Sequence, residues 1–105
     1  MAKKRGIRIR ISHQRVASLV EICEEMLEEF EPVSDHQDLL KEYLQELHLK
    51  LQTMMTLNQE MYTLVLVGTE TTAFYQLWKM LDISRDKYAT LIVDDLLKKM
   101  SSLAA

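Results

Sequence analysis

The residues best placed to do chemistry lie in KKRGIRIRISHQR, residues 3 to 15. Lys3, Lys4, Arg5, Arg8, Arg10 and Arg15 give this stretch six positive charges and no acid. Ile7, Ile9 and Ile11 alternate with Gly6, Arg8 and Arg10. Guanidinium and ammonium groups recognise anions, and neither is a nucleophile at its ordinary pKa. The rest of the chain has the opposite sign. The formal net charge is −3, and ten of the sixteen acids lie between Glu21 and Glu46, where Lys41 is the only base. A basic arm on an acidic body implies an anionic partner for the arm, or an arm that docks onto the body.

Other chemistries find little support. His13, His36 and His48 are scattered, and no Glu-x-x-His pair marks a di-metal bundle. The glutamates of the first helical segment recur at i and i+4 on the face opposite its apolar stripe, which reads as a solvated face. Cys23 falls on that stripe, which reads as a buried thiol. Gly6 and Gly68 are the only glycines, so no glycine loop cradles a phosphate. The expectation is therefore no enzyme, no catalytic residue, no metal and no cofactor.

Scarce glycine and a single proline favour long helices over an all-β fold. Ser12 is the expected N-cap of a helix over 13–30. Val16, Leu19, Val20, Cys23, Met26, Leu27 and Phe30 share one face of it, and Pro32 ends it. SDHQ, residues 34 to 37, has the form of a capping box and opens a second helix. No breaker follows before Gly68, so this helix is expected over 35–67, roughly 50 Å at 1.5 Å per residue. Leu40, Leu44, Leu47, Leu51, Met54, Asn58, Met61 and Val65 form a heptad-like seam along it. Asn58 either marks drift of that seam to the core edge or pairs across a helix dimer and fixes register. Apolar residues on most sides make this the central helix, with more surface than one neighbour can cover. Gly68 is the expected C′ residue. Thr69 or Thr71 then caps a helix over 70–81 with Phe74, Leu77, Trp78 and Leu81 on one face. Ser84 caps a last helix over 85–101 with the stripe Ala89, Ile92, Leu96 and Met100. TLVLVGTETT is rich in β-branched residues and is the weakest helical stretch, open to a kink or a short strand.

The expected fold is all-α: a four-helix, bundle-like domain over 12–105 with a long central helix, preceded by a short basic strand or arm over 1–11. One cysteine allows no internal disulfide. The basic N-terminus has no long apolar run behind it, and no window reaches the roughly 20 apolar residues of a membrane span. These features give the expectation of a cytoplasmic protein that is not membrane-bound.

As a strand, residues 7–12 would turn Ile7, Ile9 and Ile11 to one side and Arg8, Arg10 and Ser12 to the other. Pairing with the same segment of a second molecule would satisfy its backbone. That arrangement resembles the ribbon-helix-helix family of DNA-binding proteins over residues 6 to about 50. The resemblance implies that Arg8 and Arg10 read bases and that Lys3, Lys4 and Arg5 contact phosphate. The sequence departs from that family in a longer first helix and in the turn EPVSD. Asp35 and Asp38 also stand where the second helix would meet phosphate. A helix-turn-helix over the last two helices fails. Trp78 stands where that motif wants a small residue, and Asp86, Asp94 and Asp95 repel phosphate. The leading expectation is a protein-interaction or scaffold module acting as a homodimer. The alternative is a DNA-binding regulator.

Overall fold

A computed structural model of the chain describes residues 6–81 and 87–104, with side chains up to 101. Lys3, Lys4, Arg5 and the Ser84 cap lie outside the described residues. The element order is β1 (Ile7–Ser12), α1 (His13–Glu29), α2 (Asp35–Thr56), β2 (Met61–Leu66), α3 (Gly68–Met80) and α4 (Lys87–Ala104). The chain is mostly helical, and it departs from an all-α layout by a two-stranded antiparallel sheet.

The two N-terminal caps form as their sequences dictate. Ser12 accepts from the Arg15 N–H at 3.3 Å and Ser34 from the Gln37 N–H at 3.2 Å. Gln37 completes its half of the box one residue further out, taking the Val33 N–H at 2.9 Å. Helix α1 stops before Pro32, and the Phe30 N–H closes its last turn on Met26 O. Its stripe of Val16, Leu19, Cys23 and Met26 is buried.

The expected helix over 35–67 is interrupted. Helix α2 ends at Thr56, with a tight turn from the Leu57 N–H to Met54 O at 3.0 Å. Asn58 then takes a left-handed backbone with φ 50. Asparagine tolerates that region because its short polar side chain can bond locally. Asn58 therefore reverses the chain where Gly68 was expected to, and Gly68 instead opens α3 with no positive φ. From Met61 onward a two-residue period wins over the heptad: Tyr62, Leu64 and Leu66 are buried, while Met61 and Thr63 are exposed. The cap of α3 also differs from expectation. Neither Thr69 nor Thr71 serves; the Glu70 carboxylate takes the Val67 N–H at 3.0 Å.

Strand β2 supplies the partner that the basic strand needs. The register pairs Ile7 with Leu66, Ile9 with Leu64, Arg10 with Thr63 and Ile11 with Tyr62. The ribbon is thus closed within one chain, and β1 does not need a second molecule to satisfy its pairing with a partner strand. Its inner face, Ile9, Ile11, Tyr62, Leu64 and Leu66, joins the core. Helix α2 packs between α1 and α3, and α4 lies against α1 and β1. The core is completed by Leu40, Leu44, Leu47 and Leu51 of α2, Phe74, Leu77 and Trp78 of α3, and Ile92, Val93, Leu96 and Met100 of α4.

Candidate functional site

The expected seam divides at the end of α2. Leu44, Leu47 and Leu51 are buried in the chain's own core, and Met54 packs at its margin. Asn58 and Met61 are exposed and Val65 is partly exposed, all beyond the helix. Leu40, Leu44, Leu47 and Leu51 of α2 are used inside the molecule, while Leu39 and Leu49 stay exposed.

The arm residues give a more coherent surface. Arg8 and Arg10 are both exposed on the outer face of the ribbon. Their cross-strand neighbours are Val65 and Thr63, so no acid faces them on the ribbon. Among the described residues neither arginine makes a side-chain hydrogen bond or ion pair. Arg15, counted with the arm by sequence, behaves differently. It reaches α4, where Asp95 accepts from its guanidinium, and Lys99 lies 3.3 Å from the same carboxylate. Desolvation works to raise the Asp95 carboxyl, but hydrogen bonds and charge from Lys99 and Arg15 outweigh it and hold Asp95 below the usual range. Arg15 is thus a structural tie between α1 and α4.

The hydrogen-bond phase of the ribbon follows from one contact. The His13 N–H bonds to Glu60 O at 3.0 Å, which extends the ladder by one pair. In an antiparallel pair, hydrogen-bonded and non-bonded positions alternate. Ile7, Ile9 and Ile11 therefore direct their main-chain groups to β2, and Arg8 and Arg10 direct theirs away from it. On the opposite edge Val65 also points outward, and its carbonyl accepts from Lys50 Nζ at 2.7 Å. The β2 edge is thus capped at Val65 by a cation. Among the described residues the outward main-chain groups of Arg8 and Arg10 have no such cap.

Two polar clusters hold this ribbon in place. Lys50 Nζ lies 2.7 Å from Glu70 Oε1, and Glu70 is the one buried charged side chain among the described residues. The pair joins α2, β2 and the start of α3. At the other end, the Tyr62 hydroxyl accepts from the Gln59 N–H at 3.1 Å and lies 2.7 Å from His13 Nδ1, with the two rings stacked. Lys50, Glu70 and Tyr62 were not marked by sequence. The one available signal was Glu70 three residues after Val67, which is half of a capping box.

Among the described residues no activated nucleophile is assembled nearby. Cys23 is fully buried, and desolvation with the neighbouring Glu24 charge pushes its thiol up to about 12. His48 Nε2 is buried 3.3 Å from Glu24 Oε2, in ion-pair range but without the direction of a hydrogen bond. Among the described residues no three His, Cys, Asp or Glu side chains are grouped to hold a metal ion. No helix there is long and apolar enough to cross a membrane.

Arg8 and Arg10 are the two cations of the outer ribbon among the described residues. Glu21, Glu24, Glu25, Glu28 and Glu29 are exposed on α1, whose opposite side is buried in the core. Asp35 and Asp38 are exposed at the start of α2. Fold and surface together define a small helical domain that presents a cationic β-ribbon with one uncapped edge. Comparison with protein-family models, with curated proteins and with solved structures finds no match to this chain.

Proposed function

We propose that this protein is a protein-interaction module that binds an extended acidic segment of a partner by strand addition to β1. One observation carries the reading: among the described residues, the outward main-chain groups of Arg8 and Arg10 lack partners on an edge whose side chains are cationic. Strand addition draws affinity from main-chain bonds and specificity from alternate side chains. An added strand would set its outward residues beside Arg8 and Arg10, at cross-strand distances of roughly 5 Å. Glutamate or aspartate there completes both charges. A second copy of this chain suits the edge less well. Antiparallel β1–β1 pairing in register places arginine beside arginine, and like charges directly opposite destabilise a sheet. The homodimer expected from the α2 seam therefore becomes an outcome of the test.

Three proteins and one labelled probe, an alternating glutamate–threonine peptide, test the reading by fluorescence anisotropy. Arg10→Ala removes a charge and keeps the edge N–H. Arg10→Pro removes both, and the β1–β2 ladder keeps its bonds because that N–H faces outward. The expected order of affinity is wild type, then Arg10→Ala, then Arg10→Pro, with each step severalfold. Equal binding by the alanine and proline variants would overturn strand addition.

The ribbon also favours a second reading, duplex nucleic acid held on the outer face by Arg8, Arg10 and Thr63. A major groove admits a two-stranded ribbon of this kind. In that case alanine and proline at position 10 act alike, and affinity falls with salt at about −0.9 per phosphate contact. The acidic face of α1 and the exposed Asp35 and Asp38 disfavour it.

A further inference from the structure

An apolar groove lies beside the first residue of β1. It has a volume of about 320 Å³ and is lined by Ile7, by Thr71, Thr72 and Tyr75 of α3, and by Leu97 and Met100 of α4. Its lining is mainly apolar, and Tyr75 stands 47% exposed on its wall. A space of this size sits at the lower end of the range of small-ligand pockets, which leaves room for one aromatic ring or branched aliphatic side chain. Ile7 belongs to both features: it is a β1 residue and it lines the groove.

We infer that the groove is the anchor pocket for the acidic strand that adds to β1, an inference that rests on the strand-addition reading above. The alternation of the ribbon sets the recognition pattern. A residue opposite Ile7 points to the same side of the sheet as Ile7, which is the side of the groove. Residues opposite Arg8 and Arg10 point to the outer face. The partner segment is then acid–x–acid–Φ if it runs antiparallel to β1, and Φ–acid–x–acid if it runs parallel, where Φ is a large apolar residue. The acids lie against Arg10 and Arg8, and Φ enters the groove. Charge complementarity at Arg8 and Arg10 selects an acidic occupant, and the lining selects the apolar residue beside it.

The test uses full-length protein and four labelled nine-residue peptides, two for each strand direction. The pairs are Thr-Glu-Thr-Glu-Phe and Phe-Glu-Thr-Glu-Thr cores, each compared with the same core carrying alanine at the phenylalanine position. Burying a phenylalanine ring is worth about tenfold or more in affinity. In one direction, phenylalanine is expected to tighten binding at least tenfold over alanine. Thr72→Phe, an exposed groove position, fills the space without touching the edge. It is expected to cancel the phenylalanine gain while the alanine peptides bind as before. If the alanine peptides bind and phenylalanine adds less than twofold, the anchor pocket is overturned and strand addition stands. A phenylalanine gain that survives Thr72→Phe also overturns the pocket. If no peptide binds, both readings fall. A wild-type dimer by light scattering that Thr72→Phe dissociates would make a second copy the occupant and overturn the peptide assignment.

Discussion

Replacing Lys50 with methionine keeps most of the side-chain volume and removes the cation that joins three elements. Lys50 Nζ is 2.7 Å from both Glu70 Oε1 and the Val65 carbonyl. The side chain of Glu70 is only 5% exposed and that of Lys50 is 33% exposed. After substitution the Glu70 carboxylate stays buried with one remaining donor, the Val67 N–H at 3.0 Å. Removing one member of a buried pair costs about 3–5 kcal/mol, since the surviving charge is stranded. Water reaches the lysine end, so the expected cost lies at the low end, about 3 kcal/mol. A domain of this size loses about 4–8 °C of Tm per kcal/mol, so the midpoint should fall by about 12–24 °C.

Glu70→Gln tests the cause. Its amide oxygen can still accept from Val67 and Lys50, and the lysine left behind can hydrate. Its cost should be smaller, about 1–2 kcal/mol. The double variant carries no buried charge, so it should be more stable than Lys50→Met alone. Urea denaturation followed by circular dichroism gives all four corners of the cycle. If Lys50→Met costs under about 1 kcal/mol, or the double variant is less stable than Lys50→Met, the pair does not hold the ribbon as described. Lys50→Met also uncaps the Val65 carbonyl, so it should raise concentration-dependent association through the β2 edge, measured by light scattering.

Other consequences are independent of that pair. A Cβ on Gly6 would stand 2.2 Å from Val65 Cγ1, whereas one on Gly68 meets nothing within 4 Å. Gly6→Ala should therefore destabilise by about 1–3 kcal/mol and be partly rescued by Val65→Ala. Gly68→Ala should stabilise by about 0.4–1 kcal/mol. Asn58→Ala should cost about 1 kcal/mol through its left-handed backbone, while Asn58→Gly should be close to neutral in the same denaturation assay. Native Cys23 should resist a disulfide-exchange reagent at pH 8 and react stoichiometrically in denaturant, because burial raises its thiol to about 12. The lowered Asp95 carboxyl contributes stability above the ordinary aspartate range, and that contribution is lost as pH falls through the lowered value. Asp95→Asn should thus flatten stability against pH below about pH 4, and an unchanged acid limb would refute the Arg15–Asp95–Lys99 tie.

The legible parts of the fold are those whose causes are local. Ser12 and Ser34 cap because each stands three residues before the N–H that it accepts. The stripe Val16, Leu19, Cys23 and Met26 is buried because steps of three and four share a helical face. Arg8 and Arg10 face outward because a strand alternates. Strand β2 was obscured because two periods coincide over MYTLVL. Met61 and Val65 continue the heptad spacing of α2, while Tyr62, Leu64 and Leu66 keep a period of two. Only pairing with β1, some fifty residues away, decides between them, and that is a long-range energy. The same reason hid Lys50 and Glu70, which are twenty residues apart and meet only once β2 has turned back. Asn58 carried a usable signal. Its tolerance of the left-handed region, and not its place in a seam of leucines and methionines, decides its role.

The position of the arginines bears on why β1 has an uncapped edge at all. Exposed edges invite unwanted pairing, and charged side chains are one way to blunt them. Arg8 and Arg10 do so against a second copy of the same chain, because a paired β1 would bring four guanidinium groups onto one face. The same charges leave the main chain open to a strand that carries the opposite sign. Self-avoidance and acidic recognition are then one property with two readouts. Arg8→Glu with Arg10→Glu should reverse both, losing the acidic peptide and gaining affinity for a lysine-alternating one. If the charge-reversed protein instead binds neither peptide but keeps its native denaturation midpoint, the arginines guard the edge without making it a binding site.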